Sequence, residues 1–522
     1  MNLADGKISK RQWFRMSYLE CVTISMMMIP YITLSLAGKY HVLALVVGLA
    51  FVVLYGALML YLADFVPCGY INAIRNHMGW TAGILDVLYA LRYLLRATLI
   101  AVFFSMILQR YLLQSFSVWW IFLPFLGITL YGASKSMEGR GRMFEFLFGW
   151  MVVPLILIVV FSVSNIDIGA IMQGITSQSE VSGVFKGAYA ILLALSPLEL
   201  QLYSCPCVKE KDRMGGIWLL VWILFTIVFA YLFIVAILGY GWTASDTTAS
   251  FNVMEAAVAG LDYPVMAFWI IGVFAVVSGY LHQTRDFLYS LCEVKQKSGR
   301  VVTFVVMFAG ACLFAYGMQF ESAVKYGMRY FLYADLAIGI VFPLIVMWVK
   351  TKKRVKWGIG FVCLTVLAAI GIVLIGDEKL GRQFVQNDFT AIEQKKETLE
   401  HRDYVQEMQV ETAKDGYQFT FVIADIAGYE GENSINQTLY HVQAENLEMA
   451  AALYQRENER QLDFGHMKQI AADMTGQEIH PLLLELGHRS GISKSIPVMM
   501  ETDGAKYILR EMIKAAYGRE SL

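Results

Sequence analysis

A polytopic α-helical membrane protein carrying a small α+β domain at its C-terminal end is the fold class this sequence predicts, and three observations carry that prediction. The 522 residues are 57% hydrophobic and only 16% charged, with a mean hydropathy of +0.52. The apolar residues gather into blocks of about twenty, the length an α-helix needs to cross the hydrocarbon layer. Polar and charged residues take over abruptly at Asp377.

The apolar blocks place spans at 14–37, 41–63, 83–108, 118–134, 144–164, 184–205, 214–240, 264–290, 301–318, 329–350 and 355–376, eleven in all. A short charged leader precedes the first block and no small-residue cleavage site follows it, so the block is expected to remain as a span. Orientation follows from the short loops, because Lys and Arg collect on the cytoplasmic side. The leader (Lys7, Lys10, Arg11, Arg15) and the loops SKSMEGRGR, CVKEKDR, EVKQKSGR and KTKKRVK are basic. They alternate with basic-poor loops such as GWTASDTTASFNVMEAAVAGLDY. The N-terminus is therefore expected inside the cell, and with eleven spans the tail is expected outside. The chain divides into a membrane domain over 1–350, an eleventh span over 351–376, a linker over 377–402 and a small domain over 403–522.

Within the small domain, YVQEMQVE and YQFTFVIA alternate apolar and polar residues around AKDG, a hairpin signature with Asp415-Gly416 at the turn. AENLEMAAALYQRENER has helical spacing, FGHMKQIAA reads as a strand, and TGQEIHPLLLELGHR and DGAKYILREMIKAA read as helices. All seven cysteines precede this domain, so it is expected to fold without disulfides. Cys205 and Cys207, at the cytoplasmic end of span six, are given no role. His441, His466, His480 and His488 are scattered over different elements without a nucleophile or metal-ligand spacing. No metal and no cofactor is expected, and the tail reads as a binding or assembly domain.

Ionisable residues inside spans are costly unless they face the bundle interior, so each is a site candidate. Counting depth at 1.5 Å per residue puts Arg96 of span three near the midplane, with Arg92, Glu199 and Glu20 about one turn nearer the cytoplasm. Glu20, Arg92 and Glu199 are expected to form a buried charge cluster beneath a cavity reached by Arg96. A structural ion pair that only fixes helix packing is the competing reading. Asp86 and Arg285 lie nearer the cytoplasmic face and are expected to snorkel toward it. Asp335 of span ten is left undecided.

LLALSPLELQLYSCP places Pro197 and Glu199 inside span six. Proline has no N–H and clashes with the preceding turn, so the helix is expected to break near Ser196 and expose backbone groups at mid-membrane. In transporters built this way, half-helix ends face a ligand; a packing kink is the simpler alternative. Span one offers Thr23, Ser25 and Met26 as further candidate ligand-binding residues, alongside Arg96, Ser196, Pro197 and Glu199.

ISKRQWFRMSYLECVTISMMMIP, SKSMEGRGRMFEFL and FKGAYAILLALSPLELQLYSCPCVKEKDR resemble the B-subunits of spore germinant receptors, members of the amino acid-polyamine-organocation transporter superfamily. HRDYVQEMQVETAKDGYQFTFVIA and ERQLDFGHMKQIAADMTGQEI are similar to the first domain of the receptor's C-subunit, normally a separate lipoprotein. The resemblance implies a ten-span bundle of two inverted five-helix repeats, with discontinuous spans one and six around a small-molecule site that usually takes an amino acid. By position it puts Ser25 and Met26 at the break of span one and Ser196, Pro197 and Glu199 at that of span six. The chain departs from the family in having TISMMM where a glycine-containing turn is common in span one. Arg96 is therefore expected to supply the charge that a ligand carboxylate needs.

The resemblance implies a membrane subunit of a germinant-receptor-like complex, in contact with membrane lipid, a small nutrient and other receptor subunits. Its expected location is the cell membrane, or the inner spore membrane if the host sporulates. The alternative is an amino acid permease coupled to H+, with Glu199 or Glu20 as carrier, or to Na+, with Ser278 near the ion. An enzyme is not expected, because no nucleophile–base pair, phosphate loop or metal cluster is present. Nor is nucleic-acid binding, since the tail lacks a basic stripe.

Overall fold

The computed structural model describes residues 7–66, 69–113, 116–163, 166, 182–209, 213–245, 249–251, 253, 262–292, 297–317, 332–352, 402–413, 416–424, 437–458, 460–464, 467–473, 478–488, 492–500 and 504–520. Span eleven and the linker lie outside the described residues.

Helices occupy each of the first ten expected span positions. They are α1 (Lys10–Ala37), α2 (His41–Phe65), α4 (Ala82–Tyr111), α5 (Val118–Ser134), α6 (Met137–Ser162), α7 (Ser182–Ala194) continued by α8 (Gln201–Ser204), α9 (Arg213–Leu238), α11 (Asp262–Cys292), α12 (Lys297–Gly317) and α13 (Leu332–Lys352). Two short helices, α3 (Tyr70–Met78) and α10 (Tyr240–Ser245), are additions to the expected set. The stretches Lys10–Phe65, Ala82–Gln109, Met137–Ser162, Met214–Leu238 and Gly299–Tyr316 are long and apolar enough to cross a membrane. Large apolar side chains on the outside of the bundle, such as Leu54, Phe146 and Tyr316, are more than 60% exposed. An exterior of this kind is suited to lipid.

Local signals set the helix ends. Ser9 and Gln12 cap each other at 3.2 Å in both directions, which starts α1 at Lys10. Ser136 Oγ accepts from the Gly139 amide at 3.2 Å and starts α6 at Met137, two turns earlier than the apolar block suggests. Gly38, at φ 53°, closes α1. The chain then turns through Gly38–Tyr40 into α2.

Helices five places apart in the span order touch: α1 with α7, α2 with α9, α4 with α11 and α5 with α12. Two five-helix repeats related by a two-fold axis would produce these pairings. Small residues bring α2 and α7 together. A Cβ on Gly187 would meet Ala44 Cβ at 3.2 Å, and one on Gly48 would meet Ile191 Cδ1 at 2.7 Å.

Span six is interrupted where Pro197 requires it. α7 ends at Ala194, a tight turn runs over Ser196–Leu200, and the axis bends by 41°. Pro197 cannot donate to the Leu193 carbonyl, and Ser196 Oγ donates to it instead at 2.5 Å. Span one differs from expectation, because α1 continues through Ser25 and Met26 without a break. Thr23 Oγ1 donates to the Leu19 carbonyl at 3.1 Å, and Ser25 Oγ to those of Cys21 and Val22 at 2.5 and 2.9 Å. Nothing there removes a backbone N–H until Pro30, four residues beyond Met26.

The C-terminal domain is a mixed sheet with helices packed on it. Its strands are β1 (Arg402–Ala413), β2 (Gly416–Ala424), β3 (Gln437–Ala444), β4 (Gln461–Asp463), β5 (Gln469–Asp473), β6 (Pro497–Met500) and β7 (Ala505–Ile508). The order is β3-β2-β1-β5-β6-β7, with β4 also pairing β1. β1 and β2 form the expected hairpin, closed by the pair Ala413 and Gly416. Gly416, at φ 115°, lies so near Ala444 that a Cβ would meet its carbonyl oxygen at 2.5 Å. The helices are α14 (Leu447–Asn458), α15 (His480–His488) and α16 (Leu509–Glu520). The segment DGAKYILREMIKAA, expected as one helix, is a strand and then a helix over residues 505–516. AKYI pairs antiparallel with Pro497–Met500, and α16 begins only at Leu509. β3 and β6 are further elements that the apolar pattern alone does not reveal.

Candidate functional site

The broken span delivers a carboxylate to the centre of the bundle. Glu199 lies in the turn Ser196–Leu200 and is fully buried. Arg92 of α4 meets it in a two-pronged pair, Nη1 to Oε1 and Nη2 to Oε2, each at 2.5 Å. Tyr93 donates its hydroxyl to Glu199 Oε1 at 2.5 Å and lies 2.8 Å from the Tyr203 hydroxyl. The Arg92 guanidinium also sits 5.1 Å from the Tyr93 ring centre. Gly339 of α13 covers the pair with bare backbone: a Cβ there would meet Arg92 Nη2 at 2.6 Å and Glu199 Oε2 at 3.0 Å. Two helices and the interrupted one thus enclose one charge pair, which charge-assisted bonds hold in a fixed orientation.

Arg96, one turn along α4, is buried with its guanidinium carbon 5.0 Å from the Tyr280 ring centre. Tyr280 stacks in turn on Tyr93, the ring centres 5.7 Å apart. Arg92, Arg96 and Glu199 are therefore gathered around one aromatic wall, with Ser196 and Pro197 in the same turn as Glu199, and the pairing of Arg92 with Glu199 follows the depth count.

Glu20 belongs elsewhere. Its Oε1 accepts from Arg140 Nη2 of α6 at 2.9 Å, and Arg140 Nη1 donates to the carbonyl and hydroxyl of Ser278 in α11 at 2.8 and 3.2 Å. The expected three-residue cluster is thus two separate buried pairs, because α6 starts early enough to carry Arg140 into the bundle. Among the described residues Glu20 Oε2 has no hydrogen-bond partner. Gly279 lies against the same carboxylate, its Cβ position 3.0 Å from Glu20 Oε1. The apolar pattern alone leaves Arg140 in a loop; the Ser136 cap is the sequence signal that places it in the helix.

Thr23, Ser25 and Met26 are buried in α1, with both hydroxyls turned back on α1's own carbonyls. Gly272 of α11 is packed directly against Thr23. Asp86 and Arg285 do not snorkel. Asp86 is 1% exposed and accepts from Ser290 Oγ at 2.8 Å, while Arg285 Nη1 donates to the carbonyls of Ala133 and Lys135 at 2.6 and 3.0 Å. Neighbouring helices supply partners that make a route to the surface unnecessary. The side chain of Asp335 lies outside the described residues.

A separate cavity of about 510 Å³ opens at the basic end of the bundle, between α1, α2 and α9, lined by Lys10, Phe14, Tyr61, Cys205 and Trp218 among others. It does not include the charge pairs. Among the described residues no group of three or more His, Cys, Asp or Glu side chains could hold a metal ion.

Comparison with known proteins places this geometry in a family. Residues 7–322 match the family profile described as spore germination protein. No curated protein matches the chain. Among solved structures, a point variant of the Eremococcus coleocola manganese transporter is similar over 73% of this chain and 92% of its own, at 13% identity and a TM-score of 0.43. The same transporter in complex with an aromatic bis-isothiourea substituted compound covers 69% of this chain and 86% of its own, at 14% identity and a TM-score of 0.39. A bundle of apolar helices with a buried charge pair at an interrupted span, and a profile match over more than half the sequence, lead to one assignment: the chain belongs to the spore germination protein family, as a multi-pass membrane protein.

Proposed function

We propose that this protein is the membrane subunit of a germinant-receptor-like complex, which binds a small nutrient, an amino acid, beside the broken sixth span and passes the event to partner subunits. The observation that carries the reading is the Arg92–Glu199 pair at the Ser196–Pro197 break. An amino acid presents a carboxylate and an ammonium, the two charges this pair already holds together. The ligand's carboxylate would take Arg96 and share Arg92, and its ammonium would take Glu199 and the carbonyls near the break. Thr23, Ser25 and Met26, with α1 unbroken, would contribute walls rather than backbone groups.

The C-terminal domain supports the proposed orientation. It meets the bundle at Ala236 in the last turn of α9 and at Trp242 of α10, opposite the end of α9 that begins at Arg213. An outer location for that domain agrees with the positive-inside rule.

The second reading is a permease. Ser278, the residue a sodium ion would need, already gives its carbonyl and hydroxyl to Arg140, which favours H+ over Na+ as the coupling ion. The second oxygen of Glu20, without a partner among the described residues, makes Glu20 the better proton carrier, since Glu199 is held by three donors.

Thermal unfolding of the purified protein in the presence of amino acids, nucleosides or sugars tests the first reading. An amino acid is expected to raise the midpoint, and Arg96→Gln to abolish that rise while leaving the ligand-free midpoint nearly unchanged. A binding response unaltered in Arg96→Gln would remove Arg96 from the site, and a response to sugars or nucleosides alone would overturn the amino acid assignment. Sustained accumulation of labelled amino acid in proteoliposomes under a pH gradient would favour the permease.

A further inference from the structure

The C-terminal domain meets the bundle through its last helix, α16. Lys514 Nζ donates to the Ala236 carbonyl at 3.4 Å. Ala236 lies in the last turn of α9, where free carbonyls form the negative end of the helix dipole. Tyr517 stacks on Trp242 of α10, the ring centres 6.5 Å apart and the planes within 7°. Gly241 lies flat against the same tyrosine: a Cβ there would meet Tyr517 Cβ at 2.7 Å and its carbonyl oxygen at 2.8 Å. Any side chain at position 241 would push α16 away. Trp242 and Tyr517 are both buried, so this is a packed contact and not a grazing one.

α10 touches both sides of the junction. Gly239, at φ 83°, turns the chain sharply out of α9, and its amide donates to the Val235 carbonyl at 2.8 Å. α10 then packs against α1, and the Tyr240 ring lies 5.7 Å from that of His41 at the start of α2. His41 Nδ1 is 2.6 Å from the Tyr231 hydroxyl of α9. On the other side, Tyr517 is fixed within its own domain, with its hydroxyl 3.5 Å from the Leu484 carbonyl and its ring 3.2 Å from the Cβ position of Gly487. A shift of α1 or α9 must carry α10 with it, and α10 cannot move without disturbing Trp242 and Tyr517.

We propose that α16 is the output element of this protein: α10 couples the arrangement of spans one and seven to the position of the C-terminal domain. That domain is docked in one state of the bundle and displaced in the other, which changes the surface it presents to a partner. For its trigger this rests on the proposed nutrient site, but the coupling itself can be measured without a ligand.

Hydrogen exchange of the full-length protein in lipid nanodiscs reads it directly. Gly241→Leu is expected to raise exchange in α16, in α10 and in the last turns of α1 by about fivefold or more, while β1 and β2 keep their protection. Lys514→Met, a milder change, should raise the same amides by a smaller factor and guards against a variant that misfolds as a whole. The pair Gly241→Cys and Tyr517→Cys brings two Cβ atoms within reach of a disulfide after slight relaxation. Oxidation should cross-link them and slow exchange in α10 and α1. Failure of that cross-link to form, or no change in α16 in either variant, would overturn the docking. A response confined to α16, with α10 and α1 unchanged, would overturn the coupling. With a mixture of the standard amino acids added to the wild type, a rise in melting midpoint should accompany altered α16 exchange. A midpoint rise with α16 unaltered would overturn the coupling alone, whereas no midpoint rise would count against the amino acid site and leave the ligand-free result standing.

Discussion

Glu199 and Arg92 illustrate how much of a buried site a single chain position can reveal. Both are ionisable residues at similar depth in apolar blocks, and a charge at that depth is stable only beside its opposite. That much was readable, and the pair forms at 2.5 Å. Their partners were not readable, because Tyr93, Tyr203 and Gly339 are ordinary residues until folding brings three helices together. Arg140 was missed for a different reason: its position in a basic loop hides that it lies four residues beyond a helix cap. Removing one member of a buried pair strands the other charge, so Arg92→Met and Glu199→Met are each expected to destabilise the protein by about 3–5 kcal/mol. The double variant should recover most of that loss. Thermal unfolding in one detergent measures all three; a double variant as unstable as the sum of the singles would show that the two residues do not depend on each other.

Span six and span one carry proline to opposite effect, and the difference lies in what surrounds each ring. At Pro197 the orphaned Leu193 carbonyl is taken by the neighbouring Ser196 hydroxyl, which stabilises a turn in place of a helix. Around Ser25 the hydroxyls reinforce the helix they sit on, and α1 runs through Pro30 with the Met27 carbonyl accepting from Ser250 at 3.3 Å. Ser196→Ala is expected to leave the Leu193 carbonyl unsatisfied and to cost about 1–3 kcal/mol. Adding Pro197→Ala restores an N–H to that carbonyl, so the double variant should unfold at a higher temperature than Ser196→Ala alone. The opposite order in a melting experiment would refute this account of the break. The close approach of α2 and α7 rests on Gly187 against Ala44 and on Gly48 against Ile191, and small residues of this kind mark a contact face without naming its partner.

At the scale of the whole molecule, charge and docking point to the same arrangement. Basic loops define one end of the bundle, and the C-terminal domain rests at the other, on Ala236, Gly241 and Trp242. In a background lacking the seven native cysteines, Lys506→Cys in β7 is expected to react with a membrane-impermeant maleimide on intact cells. Arg142→Cys, at the basic end of α6, should react only after permeabilisation. The reverse pattern would invert the proposed orientation. The sequence alone determined the helices at the first ten span positions, their order, the hairpin of β1 and β2 and the break in span six. Each of these depends on hydrophobic period, turn chemistry or a missing N–H, and such terms act over a few neighbouring residues. Tertiary structure alone decided that Glu20 answers to Arg140 and not to Arg92, that span one stays whole, that AKYI is a strand, and that α16 lies on α10. Those outcomes depend on which partner comes within bonding distance after the helices and strands pack, and residues far apart along the chain carry no local record of it.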